Sequence, residues 1–177
     1  MPEPELLLQT RRFRVERVCQ VTPDGKEHCR EVVRHPGAVV ILPLLDDGRI
    51  CFVENYRAAV GRTLIELPAG TLEPGEDPAE TARRELAEET GYRAGRIEHV
   101  LSFWMSPGIL DERMHFYVAA SLEPGPQKLD AGEDIRTLPT TWDEALGLVR
   151  QGRIEDSKTL SALLYYDRFR RYQNRSS

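Results

Sequence analysis

Seven consecutive residues, Ala38-Val39-Val40-Ile41-Leu42-Pro43-Leu44, carry no polar side chain. A strand with one wet face alternates apolar and polar residues, so an unbroken run of this length reads as a strand buried on both faces. Such a strand needs a sheet with cover on either side. Its neighbours supply the pieces. Asp46-Asp47-Gly48 is a hairpin turn leading into a strand over 49–54. A short strand follows at Thr63–Leu67, and further strands are expected at 96–104 and 113–119. Residues 68–76 and 121–134 read as loops rich in glycine and proline. The expected class is α/β in the α+β sense: a mixed β-sheet sandwiched between α-helices.

Ahead of the buried run, Phe13, Val15, Cys19 and Val21 alternate with Arg14, Glu16 and Gln20. Thr22-Pro23-Asp24-Gly25 is a turn signal, so residues 12–34 are expected to form a β-hairpin. The first ten residues read as a loose end, and His35-Pro36-Gly37 separates the hairpin from the buried run. The chain therefore divides into an N-terminal hairpin extension, 1–37, and a main domain, 38–177.

Three helices are expected. Asp77 is a good N-cap, with Pro78 at the first helical position and Glu80 placed to close a capping box. That helix runs to Thr90 and stops at Gly91. Thr141-Trp142-Asp143-Glu144 opens a second, to about Arg150. A third spans about 157–172 and leads into a basic tail.

Charge and cysteine usage exclude several functions. The 24 basic and 29 acidic residues leave a net charge of −5. Nucleic acid and anionic membranes both attract basic surfaces, so neither is an expected partner. The apolar stretch 38–45 is too short to span a bilayer. Cys19, Cys29 and Cys51 are odd in number and form no CxxC, which predicts reduced thiols. No basic-then-apolar leader opens the sequence, and a cytoplasmic location is expected.

The first helix carries the chemistry. Glu85 and Glu89 are four residues apart and Glu88 lies beside them, so three like charges crowd one side of the helix. Hard cations that take oxygen ligands, magnesium foremost, would offset that repulsion. A solvated acidic face paired to lysines or arginines is the plainer alternative. The residues alone leave both open, and the surrounding chain carries a wider pattern. Five residues separate Gly70 from Glu76 and seven separate Glu76 from Arg84, after which the chain reads Arg84-Glu85-Leu86-Ala87-Glu88-Glu89-Thr90-Gly91.

This pattern resembles the Nudix box, the loop–helix–loop of the Nudix hydrolases. It departs only at the last position, where Tyr92 stands for the usual Ile, Leu or Val; its packing role is expected to persist. The resemblance covers about residues 12–172. It implies a Nudix fold and hydrolysis of a nucleoside diphosphate linked to another group. It also implies two or three Mg2+ ions (Mn2+ a possible substitute) held by Glu85, Glu88, Glu89 and the backbone carbonyl of Ala69. Arg84 is then expected to orient the glutamates, Glu76 to brace the loop or pair with Arg84, and Gly70 and Gly75 to relieve backbone strain.

Other stretches resemble the ADP-ribose pyrophosphatase branch of that family. Pro107 lies sixteen residues after Gly91 in Ser106-Pro107-Gly108. Glu66-Leu67-Pro68-Ala69-Gly70 approaches the box in that branch's manner, and Asn55-Tyr56-Arg57 resembles its arginine after the second core strand. Gly132-Glu133-Asp134-Ile135-Arg136 resembles the loop that carries its catalytic glutamate. The likeness implies cleavage of ADP-ribose to AMP and ribose 5-phosphate, with Glu133 as the base and Glu88 or Glu89 as alternatives. Arg57 and Arg34 are candidates for binding phosphate or the terminal ribose, Phe13 for stacking on adenine, and Pro107 and Gly70 for lining the pocket. It implies also a homodimer in which the hairpin is exchanged between subunits. Nucleotide sugars of the GDP-mannose or ADP-glucose type are alternative substrates. A non-catalytic nucleotide sensor is the alternative of another class; such modules generally lose a box glutamate, and none is lost here.

Overall fold

The structure is a computed structural model that describes residues 3–130 and 132–171. Its strands are β1 (Glu5–Gln9), β2 (Arg14–Val21), β3 (Glu27–Arg34), β4 (Ala38–Pro43), β5 (Ile50–Arg57), β6 (Arg62–Glu66), β7 (Ala69–Thr71), β8 (Tyr92–Ser106), β9 (Leu110–Pro124) and β10 (Ile135–Thr140). The helices are α1 (Pro78–Thr90), α2 (Trp142–Arg150) and α3 (Ser157–Phe169). The expected basic tail lies outside the described residues.

A seven-stranded mixed sheet runs in the order β1-β2-β3-β9-β4-β7, with β8 along the other edge of β9. β4 lies parallel to β9, Ala38 opposite Met114 through Pro43 opposite Ala119, and antiparallel to β7. A second, antiparallel sheet runs β10-β5-β6.

Every residue of β4 is buried, and its alternation sorts the core into two halves. Val39 and Ile41 pack with Ala82 and Leu86 of α1 and with Tyr117, Ala119 and Leu122. Ala38, Val40 and Leu42 turn the other way. They meet Phe52 and Ile65 of the second sheet, Ala145 of α2, and Ala162, Leu163 and Tyr166 of α3. Tyr92 packs against the α1 side as a partly buried residue, so the one departure from the box keeps its packing role.

Several expectations need correction. Glu5–Gln9 is a strand on β2 and not a loose end. β8 and β9 are 15 residues each, longer than expected, so residues 121–124 extend a strand. β7 falls in a stretch expected to be irregular, and β10 in one for which no element is expected. Asp77 caps α1 by accepting from the Ala79 amide at 2.7 Å, but Glu80 closes no box; its carboxylate faces Arg83 at 3.7 Å. The capping box at Thr141 and Glu144 is present. Cys19 and Cys29 are direct partners across β2 and β3 and form a disulfide. The reduced-thiol reading fails there because the hairpin register brings the two sulfurs together; Cys51 alone is free, and it is buried. Among the described residues no helix is long and apolar enough to cross a membrane.

Candidate active site

The site begins where β7 passes α1. Pairing of β7 with β4 lays Ala69 and Gly70 alongside the helix. A Cβ added to Gly70 would fall 1.9 Å from the carboxyl carbon of Glu85. Gly70 has no positive φ, so close approach to Glu85, not backbone strain, requires glycine. Gly75, at φ +80°, does serve the turn as expected.

Arg84 organises part of the carboxylate group. Its Nε and one terminal nitrogen grip Glu76 at 3.1 and 3.0 Å, in the two-pronged geometry a guanidinium favours. The other terminal nitrogen donates to Glu85 at 2.8 Å and Glu88 at 3.0 Å. This bears on Glu76 at once: hydrogen bonding to Arg84 brings its pKa down to about 2. Glu76 is thus the brace.

Glu89 lies beyond that reach. It is 4% exposed, and among the described residues its carboxylate accepts one hydrogen bond, from the Ala69 amide at 3.1 Å. Burial pushes its pKa up to about 8, and the charges of Glu85 and Glu133 add to the rise. Burial also raises Glu85 above the ordinary carboxylate range, against the pull of Arg84. A buried carboxylate with so little positive company is poorly served by the protein alone.

The donor set suits a hard cation: carboxylate oxygens on one helix, with Ala69 seated against Glu89.

The loop after β9 closes on the far end of α1. Lys128 donates its amide to the Glu88 carbonyl at 3.0 Å, and the Gln127 side chain donates to the Glu89 carbonyl. Gly91 has φ +76°, and a Cβ there would fall 2.3 Å from the Gly125 carbonyl oxygen. Gly91 therefore stops the helix and also admits the loop. Glu133, exposed, accepts from the Asp130 amide at 3.0 Å. It is near enough for its charge to act on both Glu85 and Glu89.

Behind Glu89 stands a second charged group. Arg57, at the end of β5, donates from Nε (2.8 Å) and a terminal nitrogen (2.6 Å) to Glu66. Glu66 also receives the Lys158 ammonium at 2.6 Å, and that ammonium meets Asp156 at 3.0 Å. Of these four, only Arg57 is a site candidate from sequence. The partners Glu66 and Lys158 are 92 residues apart, a separation no local spacing reveals.

The remaining candidates gather elsewhere. Arg34 donates to Glu16 at 2.8 Å and Asp111 at 3.0 Å. With Phe13 it lines a cavity of about 330 Å³ at the open end of the hairpin. Pro107 is exposed in the turn between β8 and β9, near Ile109, whose carbonyl accepts from the Val33 amide at 2.8 Å. The structure thus brings Phe13 and Arg34 together, apart from the group formed by Glu85, Glu88, Glu89 and Arg84.

A glycine-admitted loop laid against a carboxylate-bearing helix makes an acidic site, of a chemistry suited to a hard cation, on a mixed α+β fold. The chain is similar to known proteins. Residues 33–163 match the NUDIX domain model. The chain is 45% identical over 145 residues to a methanol dehydrogenase activator from Bacillus methanolicus, covering 81% of this chain and 78% of that one. It is 43% identical, with the same coverage, to an ADP-ribose pyrophosphatase from Bacillus subtilis (strain 168). It is 33% identical over 156 residues to a GDP-mannose pyrophosphatase from Escherichia coli O1:K1 / APEC, covering 80% of each chain. The solved structure of an ADP compounds hydrolase superposes with a TM-score of 0.83 over 99% of this chain and 98% of that one, at 23% identity, and shows the shared fold. The chain belongs to the Nudix family. It is a Nudix hydrolase of the ADP-ribose pyrophosphatase-like kind, an enzyme acting on pyrophosphate bonds.

Proposed function

We propose that the protein cleaves ADP-ribose to AMP and ribose 5-phosphate, by attack of water on the diphosphate in a Mg2+-dependent reaction. The observation that carries this reading is the 43% identity to the B. subtilis ADP-ribose pyrophosphatase, joined to an intact acidic cradle on α1. Two or three Mg2+ ions, or Mn2+ in their place, bound by Glu85, Glu88, Glu89 and the Ala69 carbonyl, would neutralise the diphosphate and lower the pKa of the attacking water. The chain's own residues do the rest. Arg84 holds Glu85 and Glu88 in place. Glu133 accepts the water's proton, with Glu88 or Glu89 as the alternative base. Arg57 binds phosphate; Gly70 keeps the loop flush with the carboxylates. Phe13, Arg34 and Pro107 contact the rest of the substrate.

The hairpin extension, 1–37, builds a homodimer with the Nudix domain, 38–177, and is exchanged between subunits. Its exposed Leu6, Leu7, Leu8 and Val21 support an assembly role. The enzyme works in the cytoplasm on a small nucleotide substrate.

The 33% identity to GDP-mannose pyrophosphatases favours a second reading, hydrolysis of a nucleotide sugar by the same chemistry. One substrate panel separates them. Purified protein with Mg2+ is expected to release AMP from ADP-ribose with a higher kcat/KM than it shows for GDP-mannose or ADP-glucose; the reverse order overturns the first reading. In the same assay Glu133→Gln is expected to lower kcat by about a hundredfold, within the range of a lost general base. A change of only a few fold moves the base to α1.

A further inference from the structure

Lys158 occupies an expensive position. It is the second residue of α3, where the helix dipole disfavours a cation, and it is 8% exposed. Burial of an ammonium is strongly unfavourable unless it is paired, and an apolar side chain of similar volume in such a place is often neutral or stabilising. Core packing of α3 therefore does not account for it. Its nearest oxygen belongs to Glu66, itself 1% exposed. Two positive groups converge on that one carboxylate, which they hold below the ordinary range against its burial.

The consequence falls on Arg57. Glu66 takes its Nε and one terminal nitrogen. The other terminal nitrogen makes no hydrogen bond among the described residues. The guanidinium is partly exposed, at 41% for its side chain, and its charge reaches Glu89. A fork held on one edge presents the opposite edge in a fixed direction. Charge counting adds a second effect. Arg57 and Lys158 together balance Glu66 and Asp156. Without Lys158 the group is net negative, and Arg57's charge is spent on its own partners instead of on an arriving anion.

We propose that Lys158 and Glu66 are positioning residues that fix the guanidinium of Arg57 and leave its charge available to the substrate diphosphate. The inference rests on the pyrophosphatase reading, though not on ADP-ribose being the substrate.

A double-mutant cycle tests it, using full-length protein, Mg2+ and whichever substrate of the panel the wild type cleaves best. Arg57→Ala and Lys158→Met are each expected to raise KM about tenfold with kcat changed less, since an interaction with the bound diphosphate is lost. The double variant is expected to match Arg57→Ala alone, because Lys158 acts through Arg57. Lys158→Arg, which keeps the charge, restores most of the KM. Additive effects in the cycle, or a KM unmoved in Lys158→Met, overturn the proposal. Where Lys158→Met does not fold, Glu66→Gln takes its place in the cycle and the same two results decide. Absence of ADP-ribose turnover in the wild type fails the substrate reading alone; the cycle is then run on the nucleotide sugar that is cleaved.

Discussion

Two glutamates of this protein are almost equally buried and behave in opposite ways. Glu66 is 1% exposed and Glu89 is 4% exposed. Arg57 and Lys158 surround Glu66 and keep it ionised, with its pKa lowered. Glu89 has a backbone amide, two acidic neighbours and only the more distant charge of Arg57, and its pKa rises to about 8. Burial is the same; company differs. A paired buried carboxylate is a finished structural element. One left this short of positive charge is a candidate for a site whose partner comes from outside. The two stand at the two ends of one short segment, Glu66 closing β6 and Glu89 bonded to Ala69 just beyond it.

The largest expected effect breaks the finished side. Glu66→Ala leaves Arg57 and Lys158 without their shared anion, and breaking a buried ion pair typically costs about 3–5 kcal/mol. Urea denaturation is expected to show a loss of that size. A loss below about 1 kcal/mol means the network is no more than a surface pair.

A smaller effect distinguishes the open side. In metal-free protein the folded state holds a proton on Glu89 that the unfolded chain, with an ordinary value of 4.5, has already released. Between those values folding takes up a proton, so this component of stability falls as pH rises, by at most about 1.4 kcal/mol per pH unit, and is gone above about 8. Stability in a chelating buffer is expected to decline from pH 5 to pH 8. Glu89→Gln, neutral throughout, is expected to lack that decline. Parallel curves for the two proteins remove the contrast between Glu66 and Glu89.

The same contrast marks how much of the molecule is legible in its sequence. Glu85, Glu88, Glu89 and Arg84 stand out because they fall in one short stretch whose spacing matches the Nudix box, and Asp77 and Gly91 bound that helix by local chemistry. Glu66 and Lys158 lie on different elements, joined only by folding. The strands that sequence patterning does not reveal have physical reasons as well. β10 contains Pro139, which argues against a strand, yet β10 is an edge of the second sheet, where a missing amide is tolerated. β1 shows no alternation because all five of its residues are exposed. The disulfide is hidden by an odd cysteine count, although the hairpin register that pairs Cys19 with Cys29 follows from the turn at 22–25.

We propose that the carboxylate set on α1 is completed by an external cation, with Glu89 its least satisfied member. Isothermal titration of the protein with Mn2+ at pH 7, in two buffers of different ionisation enthalpy, tests this directly. A ligand must be deprotonated to bind, so binding is expected to release close to one proton per site in the wild type. In Glu89→Gln, affinity is expected to weaken and the released proton to vanish. Tight binding with no proton released, or equal release by the variant, would contradict the account.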